Sequence, residues 1–438
     1  MSVRKSSWGF GLLAAMGIAL TVLALGTPAR AQVKPGDFIT ADKANQVRNL
    51  VSPGVFYKVQ RGMSMKIIPT QRIDWPPPYK DATEKYSEQV QLSADHRTVV
   101  GYVAGQPFPL IDPNDPFAAT KVMWNNVFRP IQSDDYDLRF FDCDVEYTGL
   151  NKPYFQIAYG TLGHYAGYDQ VGRTEVEPIP TDPDFKRNNR LWLFYLGPEL
   201  APATSRGTSL LRYRYADPKR ADDSWTWETG SRRLRRLDES ILSSSTGSQT
   251  WDPDHYSGFN AKTEQYNYKF VGERNMLACV RAEHSPEVRC PTDGGASACP
   301  EIWEMRHMYV IEANPRRSEE TTSFLHSKTM VYMDSEMWFE PYIDTYDRKG
   351  ELWQNHIYWA AYRDRPVPDA KIAIYPFKRE FIVGAASTDE QSSLATMCYL
   401  PSMETQEREC WYINMGAVDK AWFTTEGVVK AAEVGLMQ

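Results

Sequence analysis

The sequence predicts a mainly β protein: a sandwich, a barrel or a large curved antiparallel sheet rather than a parallel βαβ fold. Three observations carry that prediction. Short runs of branched and aromatic residues recur along most of the chain with polar loops between them. The stretch from Lys328 to Tyr362 divides into three such runs joined by tight turns, and its last run, Leu352 to Tyr362, is apolar on both faces. The 438 residues also include 13 Trp and 25 Tyr, large amphipathic rings suited to wide apolar surfaces with wet edges.

Residues 1–31 read as a cleavable signal peptide. Arg4 and Lys5 form the charged start, Phe10 to Leu25 the apolar stretch, and Ala29-Arg30-Ala31 a small-residue cleavage site. The expectation is export to the periplasm and a mature chain that does not itself span a membrane. Cleavage removes three basic residues and no acid, leaving the mature chain more acidic than the whole chain's formal −7. That balance argues against nucleic acid as a partner. All six cysteines lie beyond the cleavage site, and an even count in an oxidising compartment favours disulfides. Proximity along the chain pairs Cys290 with Cys299 and Cys398 with Cys410, leaving Cys143 with Cys279.

Taken in order, residues 32–130 form an N-terminal extension. Thr40 is placed to cap a helix whose face holds Ala44, Val47 and Val51, with Pro53-Gly54 ending it. Trp75-Pro76-Pro77-Pro78 reads as the stiffest part of an irregular, extended wrapping segment. A strand begins at Val99, and Asp115-Pro116 is placed as the cap and first residue of a helix. Strands are predicted over 139–148, 154–160, 190–196, 209–215, 224–229, 265–271 and 304–312. The meander follows at 329–333, 338–346 and 352–362, then a strand at 371–377. A closing helix over 425–434 carries Val428, Val429 and Ala432 on one side. Asp347-Arg348-Lys349-Gly350 supplies the meander's second turn, Gly350 being free to take positive φ. The β region spans 131–438 and is continuous with the extension.

No enzyme signature emerges. The seven histidines show no ligand spacing, and there is no nucleophile elbow, phosphate loop or zinc-protease motif. The one compact acid and histidine group, Asp252-Pro253-Asp254-His255, reads as a loop turn. No catalytic residue, metal or cofactor is expected. The sharpest charge feature is the run Ser231 to Leu237, where Arg232, Arg233, Arg235 and Arg236 follow a strand that alternates Trp225 and Trp227 onto one face. Arginines beside aromatic surface suit an anionic head group, or simply neutralise nearby acids. Most aromatic strand residues fill cores. Two-sided apolarity in the last meander run, with helices near both chain ends to close an open side, points further, to a cavity. Its candidate lining is Tyr213, Tyr215, Trp225, Trp227, Tyr309, Trp353 and Trp359, with the four arginines as head-group contacts.

The pattern of Lys328 to Tyr362, an Asp-x-x-x-Trp turn followed by a Tyr-Asp-Arg-x-Gly-x-Leu hairpin, resembles the LolA-like outer-membrane lipoprotein-sorting superfamily. The segments Ser52 to Thr70, Tyr102 to Asn125, Asp222 to Leu237 and Asp252 to Arg274 further resemble one proteobacterial branch, periplasmic lipoprotein-sorting-like proteins of unknown function. The resemblance implies a strongly curved antiparallel sheet, a half-barrel closed by a few short helices around a hydrophobic cavity. It implies a binding or carrier protein for a lipid, a lipoprotein acyl chain or similar apolar cargo, working beside an inner-membrane exporter of the resistance-nodulation-division type or an outer-membrane protein. The competing expectation is an interaction or sensor module that docks on an envelope protein without a ligand of its own.

Overall fold

In the computed structural model, residues 33–147, 155–238, 250–283, 301–316, 324–368, 370–400 and 411–437 are described. The signal-peptide residues and the Cys290 and Cys299 pair lie outside them. The N-terminal region holds β1 (Phe38–Ile39), α1 (Pro53–Gln60), β2 (Met65–Ile67), α2 (Pro77–Tyr86), β3 (Gln91–Leu92), β4 (Val99–Val100) and α3 (Ala118–Val127). Long strands follow: β5 (Asp135–Tyr147), β6 (Phe155–Asp169), then the single turn α4 (Phe185–Asn188), β7 (Arg190–Ala201), β8 (Ser209–Tyr215), β9 (Asp223–Glu228) and β10 (Arg233–Leu237). After them come β11 (Tyr266–Ala278), β12 (Glu301–Pro315) and the meander β13 (His326–Asp334), β14 (Tyr342–Asp347) and β15 (Leu352–Arg363). The chain ends with β16 (Arg379–Asp389), β17 (Leu394–Tyr399), β18 (Trp411–Ile413) and α5 (Thr425–Met437).

Sixteen of these strands form one sheet that does not close into a barrel, in the order β1-β2-β12-β13-β14-β15-β16-β17-β5-β6-β7-β8-β9-β10, with β11 on β12 and β18 on β5. All pairings are antiparallel except that of β2 with β12. The fold class is therefore the predicted one, a mainly β chain on a single large sheet with few short helices. No helix among the described residues is long and apolar enough to cross a membrane.

The meander explains why both sheet faces are covered. Gln354 to Ala361 of β15 are buried without a break. On one face lies α1: Asp344 accepts hydrogen bonds from Ser52 Oγ (3.1 Å) and Gly54 N (3.0 Å), and a Cβ on Gly54 would come within 2.5 Å of Asn355, so only glycine permits this approach. On the other face lies the irregular segment 250–261, where the Tyr358 hydroxyl donates to the His255 carbonyl at 2.5 Å.

Several local expectations are corrected. The helix expected from Thr40 to Val51 is only a 3₁₀ segment, Ala41–Gln46, and Pro53 opens α1 rather than ending a helix. Ser52 caps α1 through its hydroxyl, and proline at the first helical position forfeits no hydrogen bond. The same rule makes Pro77 and Pro78 the start of α2 where extended wrapping was expected. The third helix starts at Ala118, two residues beyond Pro116, while the Asp115 carboxylate accepts from Phe117 N. The middle meander strand begins at Tyr342 because Trp338 sits in the left-handed region (φ 52°). Residues 371–377 form bends, with Ala373 also left-handed (φ 52°), and the strand is β16.

The disulfide joins Cys143 to Cys398, overturning both Cys143–Cys279 and Cys398–Cys410. The two residues are register partners on the adjacent strands β5 and β17, with Cα atoms 4.1 Å apart across 255 residues of sequence. Replacing both with serine is expected to lower stability by about 2–4 kcal/mol, because the unfolded chain regains the freedom the cross-link removed. Urea unfolding of the oxidised protein and the variant measures the difference; equal midpoints would contradict it.

Candidate ligand cavity

A cavity of about 630 Å³ opens on the concave face of the sheet. One wall comes from β16 to β18 (Ile382, Ala385, Cys398, Trp411), the floor from β5 and β6, and the other wall from β7 to β10 (Leu196, Leu210, Thr226, Leu237). β16 and β9 lie six strands apart in the sheet order. At about 4.8 Å per strand a flat sheet would hold them nearly 30 Å apart. Both border this cavity, so the sheet bends around it.

The floor owes its apolar lining to a local irregularity. Phe140 sits at φ 58°, outside the extended region, and neither it nor Gly163 opposite forms a register pair. The alternation of both strands shifts there, so that the pair Leu138–Tyr165 and the pairs Phe141–Leu162, Cys143–Gly160 and Val145–Ala158 border the same space.

Segment 250–261 crosses the concave face and separates this trough from a smaller cavity of about 90 Å³; Pro253, Tyr256 and Ser257 line both. Polar bonds hold the segment. Thr250 donates to the Ser387 carbonyl at 2.7 Å, and Arg129 donates to the Ser257 carbonyl at 2.7 Å. Arg212 donates to the Asp254 carboxylate and, through Nε, to Asp222, both at 2.8 Å. Arg214 donates to Asp222 and to the Asn260 carbonyl, also at 2.8 Å. Burial alone would raise the Asp222 carboxyl, but the guanidinium groups of Arg214 and Arg212 outweigh it and hold it down at about 2. The smaller cavity carries the opposite case. Burial, reinforced by the Asp134 charge, pushes Asp169 up to about 8, so it faces the cavity as a neutral acid at pH 7. In the trough, burial likewise raises Glu199.

The cavity and most of the residues expected to line it fall on opposite faces. Tyr213, Tyr215, Trp225 and Trp227 belong to a second apolar cluster under the C-terminal helix, with Phe423, Val428 and Ala432, and the Tyr213 hydroxyl donates to the Phe423 carbonyl. Tyr309 packs against Trp338 at 5.6 Å, Trp353 donates to Asp389 at 3.1 Å, and Trp359 is fully buried in the main core. Of the arginines, Arg233 and Arg235 pair in register with Glu228 and Thr226 on the cavity side of the edge strand β10, and Arg235 also forms an ion pair with Glu228 at 2.9 Å. Arg236 points the other way, to Asp223, and Arg232 sits in the preceding turn at φ 50°. The aliphatic lining on β5, β6 and β10 escaped the sequence reading because isolated leucines and valines carry no signal of which face is open.

Comparison with known proteins places these features in a family. Residues 38–405 match the profile of a family described as protein of unknown function, DUF1329. This bears out the branch of unknown function that the sequence motifs resemble. An uncharacterized Pseudomonas aeruginosa protein is 21% identical over 350 residues, covering 75% of this chain and 70% of its own length. A crystal structure of a DUF1329 family protein from Desulfovibrio piger is 13% identical, covers 72% of this chain and 99% of its own, and superposes with a TM-score of 0.47. A structure described as a candidate outer-membrane lipoprotein-sorting protein domain from Vibrio parahaemolyticus is 12% identical, covers 71% and 98%, and has a TM-score of 0.44.

The arginine and aspartate network sets a stability expectation. Asp222→Asn leaves two buried guanidinium groups undercompensated and should cost about 3–5 kcal/mol in denaturant unfolding. Since the folded-state pKa is depressed, the wild-type contribution is complete above about 3.8 and is lost as pH falls through about 2. A variant whose acid-unfolding profile superposes on that of wild type would contradict this role.

Proposed function

The chain belongs to the DUF1329 family, proteins of unknown function, and we propose that it is a periplasmic binding or carrier protein that encloses one apolar ligand, a lipid or acyl chain. The observation that carries this is the trough itself: about 630 Å³ whose surface is mostly apolar, with leucines (Leu138, Leu162, Leu196, Leu210, Leu237) its commonest side chains and hydroxyl and acidic groups interspersed, and which those side chains do not fill. That volume falls within the roughly 300–1,000 Å³ of small-molecule sites. Burying hydrocarbon contributes about 0.8 kcal/mol per CH₂, so a single long chain binds well without any polar code. At the mouth, Glu228 and Thr226 meet the cavity-side Arg233 and Arg235, a mixed-charge rim suited to a polar head group.

The buried disulfide supports an oxidising compartment. In this reading the protein acts by binding rather than by catalysis. Its partners are the apolar cargo and an envelope protein, either an inner-membrane exporter of the resistance-nodulation-division type or an outer-membrane protein, as the lipoprotein-sorting resemblance implies.

Native mass spectrometry after gentle purification should show a co-purified lipid, and an environment-sensitive apolar dye should bind the delipidated protein. Leu162→Trp, which fills the trough, is expected to weaken dye binding about tenfold or more, a loss of about 1.4 kcal/mol or greater. Trp225→Phe, on the opposite face, should leave it unchanged. A chain that is empty, ignores the dye and instead recovers a stoichiometric envelope protein would replace this reading with that of an interaction module.

A further inference from the structure

Beneath the segment that divides the two cavities lies a cluster that ligand binding does not use. Asp252 and His255 are one turn apart in that segment, and the Asp252 carboxylate accepts a hydrogen bond from His255 Nδ1 at 2.8 Å. His356, a hundred residues further on, projects from β15 and stacks on His255, with ring centroids 4.4 Å apart and planes 3° from parallel. All three are buried: Asp252 is 3% exposed, His255 4% and His356 0%. Yet His255 Nε2 and both ring nitrogens of His356 lack a hydrogen-bond partner among the described residues, as does the indole nitrogen of the neighbouring Trp251. Buried polar atoms without partners are rare and costly, and four of them at one spot call for an occupant.

One carboxylate and two imidazoles are the donors that occupant would meet. One ligand atom from each of Asp252, His255 and His356 lies within 4.8 Å of the others. We propose that these three residues form a binding site for one divalent transition-metal ion, Zn²⁺ or a near neighbour such as Co²⁺ or Ni²⁺, that pins segment 250–261 to β15. The donor chemistry selects this class: imidazole suits zinc, cobalt and nickel, whereas magnesium and calcium require cages of oxygen. Bond lengths of about 2.1 Å place tetrahedral donors roughly 3.4 Å apart, so the trio closes on an ion through side-chain movements of about an ångström. His356, with no hydrogen bond holding its ring, supplies most of that movement as it leaves the stack.

The ion's task is structural. The site is buried, and Pro253, Tyr256 and Ser257 of the same segment border the trough and the smaller cavity. Metal binding therefore fixes the wall between them. The site stands on its own residues and does not depend on what the trough holds.

Untagged protein stripped with a chelator and titrated with Zn²⁺ should take up one ion per chain and gain thermal stability. His356→Gln and His356→Phe should each weaken uptake by more than the 10–100-fold typical of outer-shell partners, on the order of 100-fold or greater. X-ray absorption of the Zn²⁺-loaded wild type, which needs no variant to fold, should show two imidazole ligands. Wild-type protein that takes up no ion, an ion retained undiminished by folded His356 variants, or an absorption spectrum without imidazole would each overturn the proposal.

Discussion

The pairing of β5 with β17 is the joint on which the architecture depends. β5 is a single 13-residue strand whose one edge is taken by β6 and whose other edge is shared by β17 and β18. It is thus the line along which β5 to β10 meet the strands after segment 250–261; the short strand β2 meets them separately, through its parallel pairing with β12. Bringing together residues so distant in sequence costs chain entropy, and the Cys143–Cys398 cross-link at this seam lowers that cost by limiting the unfolded ensemble. The trough lies directly over the joint, so its walls exist only if the two halves pair in register. A slip of one residue would turn the apolar floor of β5 to the opposite face.

Why the trough is not filled by the protein itself follows from how segment 250–261 is held. An apolar insert would sink into the concave face until it packed at native density. This one is suspended by directional polar bonds to β8, β15, β16 and α3 or its C-terminal flank, through Arg212, Tyr358, Ser387 and Arg129. The buried charges of Arg212 and Arg214 are tolerated there because each finds a carboxylate, Asp222 being shared between the two, while Arg129 donates to carbonyl and amide oxygens. Fixed polar anchors keep an apolar surface apart from its neighbours, which pure hydrophobic contact does not do.

Much of the strand pattern was legible in the sequence because long β-strands with branched and aromatic residues announce themselves; β8 begins and ends where its residues predict. Two-sided burial of β15 was equally plain. The last strands were not. Phe381 to Ser387 reads Phe-Ile-Val-Gly-Ala-Ala-Ser, buried throughout, and small residues in an unbroken apolar run do not distinguish strand from helix. Helix starts were displaced wherever proline was taken as a stop rather than as a first residue. The disulfide was misassigned because distance along the chain is no guide where register sets contact.

Strand parity is the deeper case. In β8 the alternation of Leu211, Tyr213 and Tyr215 with Arg212 and Arg214 is evident, but alternation alone does not say which side is inner. The aromatic side is closed by a helix that arrives two hundred residues later, and the arginine side faces the concavity because Asp222 and Asp254 wait there to neutralise it. A large aromatic stripe therefore marks the face that another element covers, whereas the face that borders the trough mixes aliphatic residues with paired charges. The arginine run of β10 follows the same logic. The sheet divides it, sending Arg233 and Arg235 to the cavity mouth and Arg236 to the far side with Asp223, so a cluster contiguous in sequence serves two surfaces.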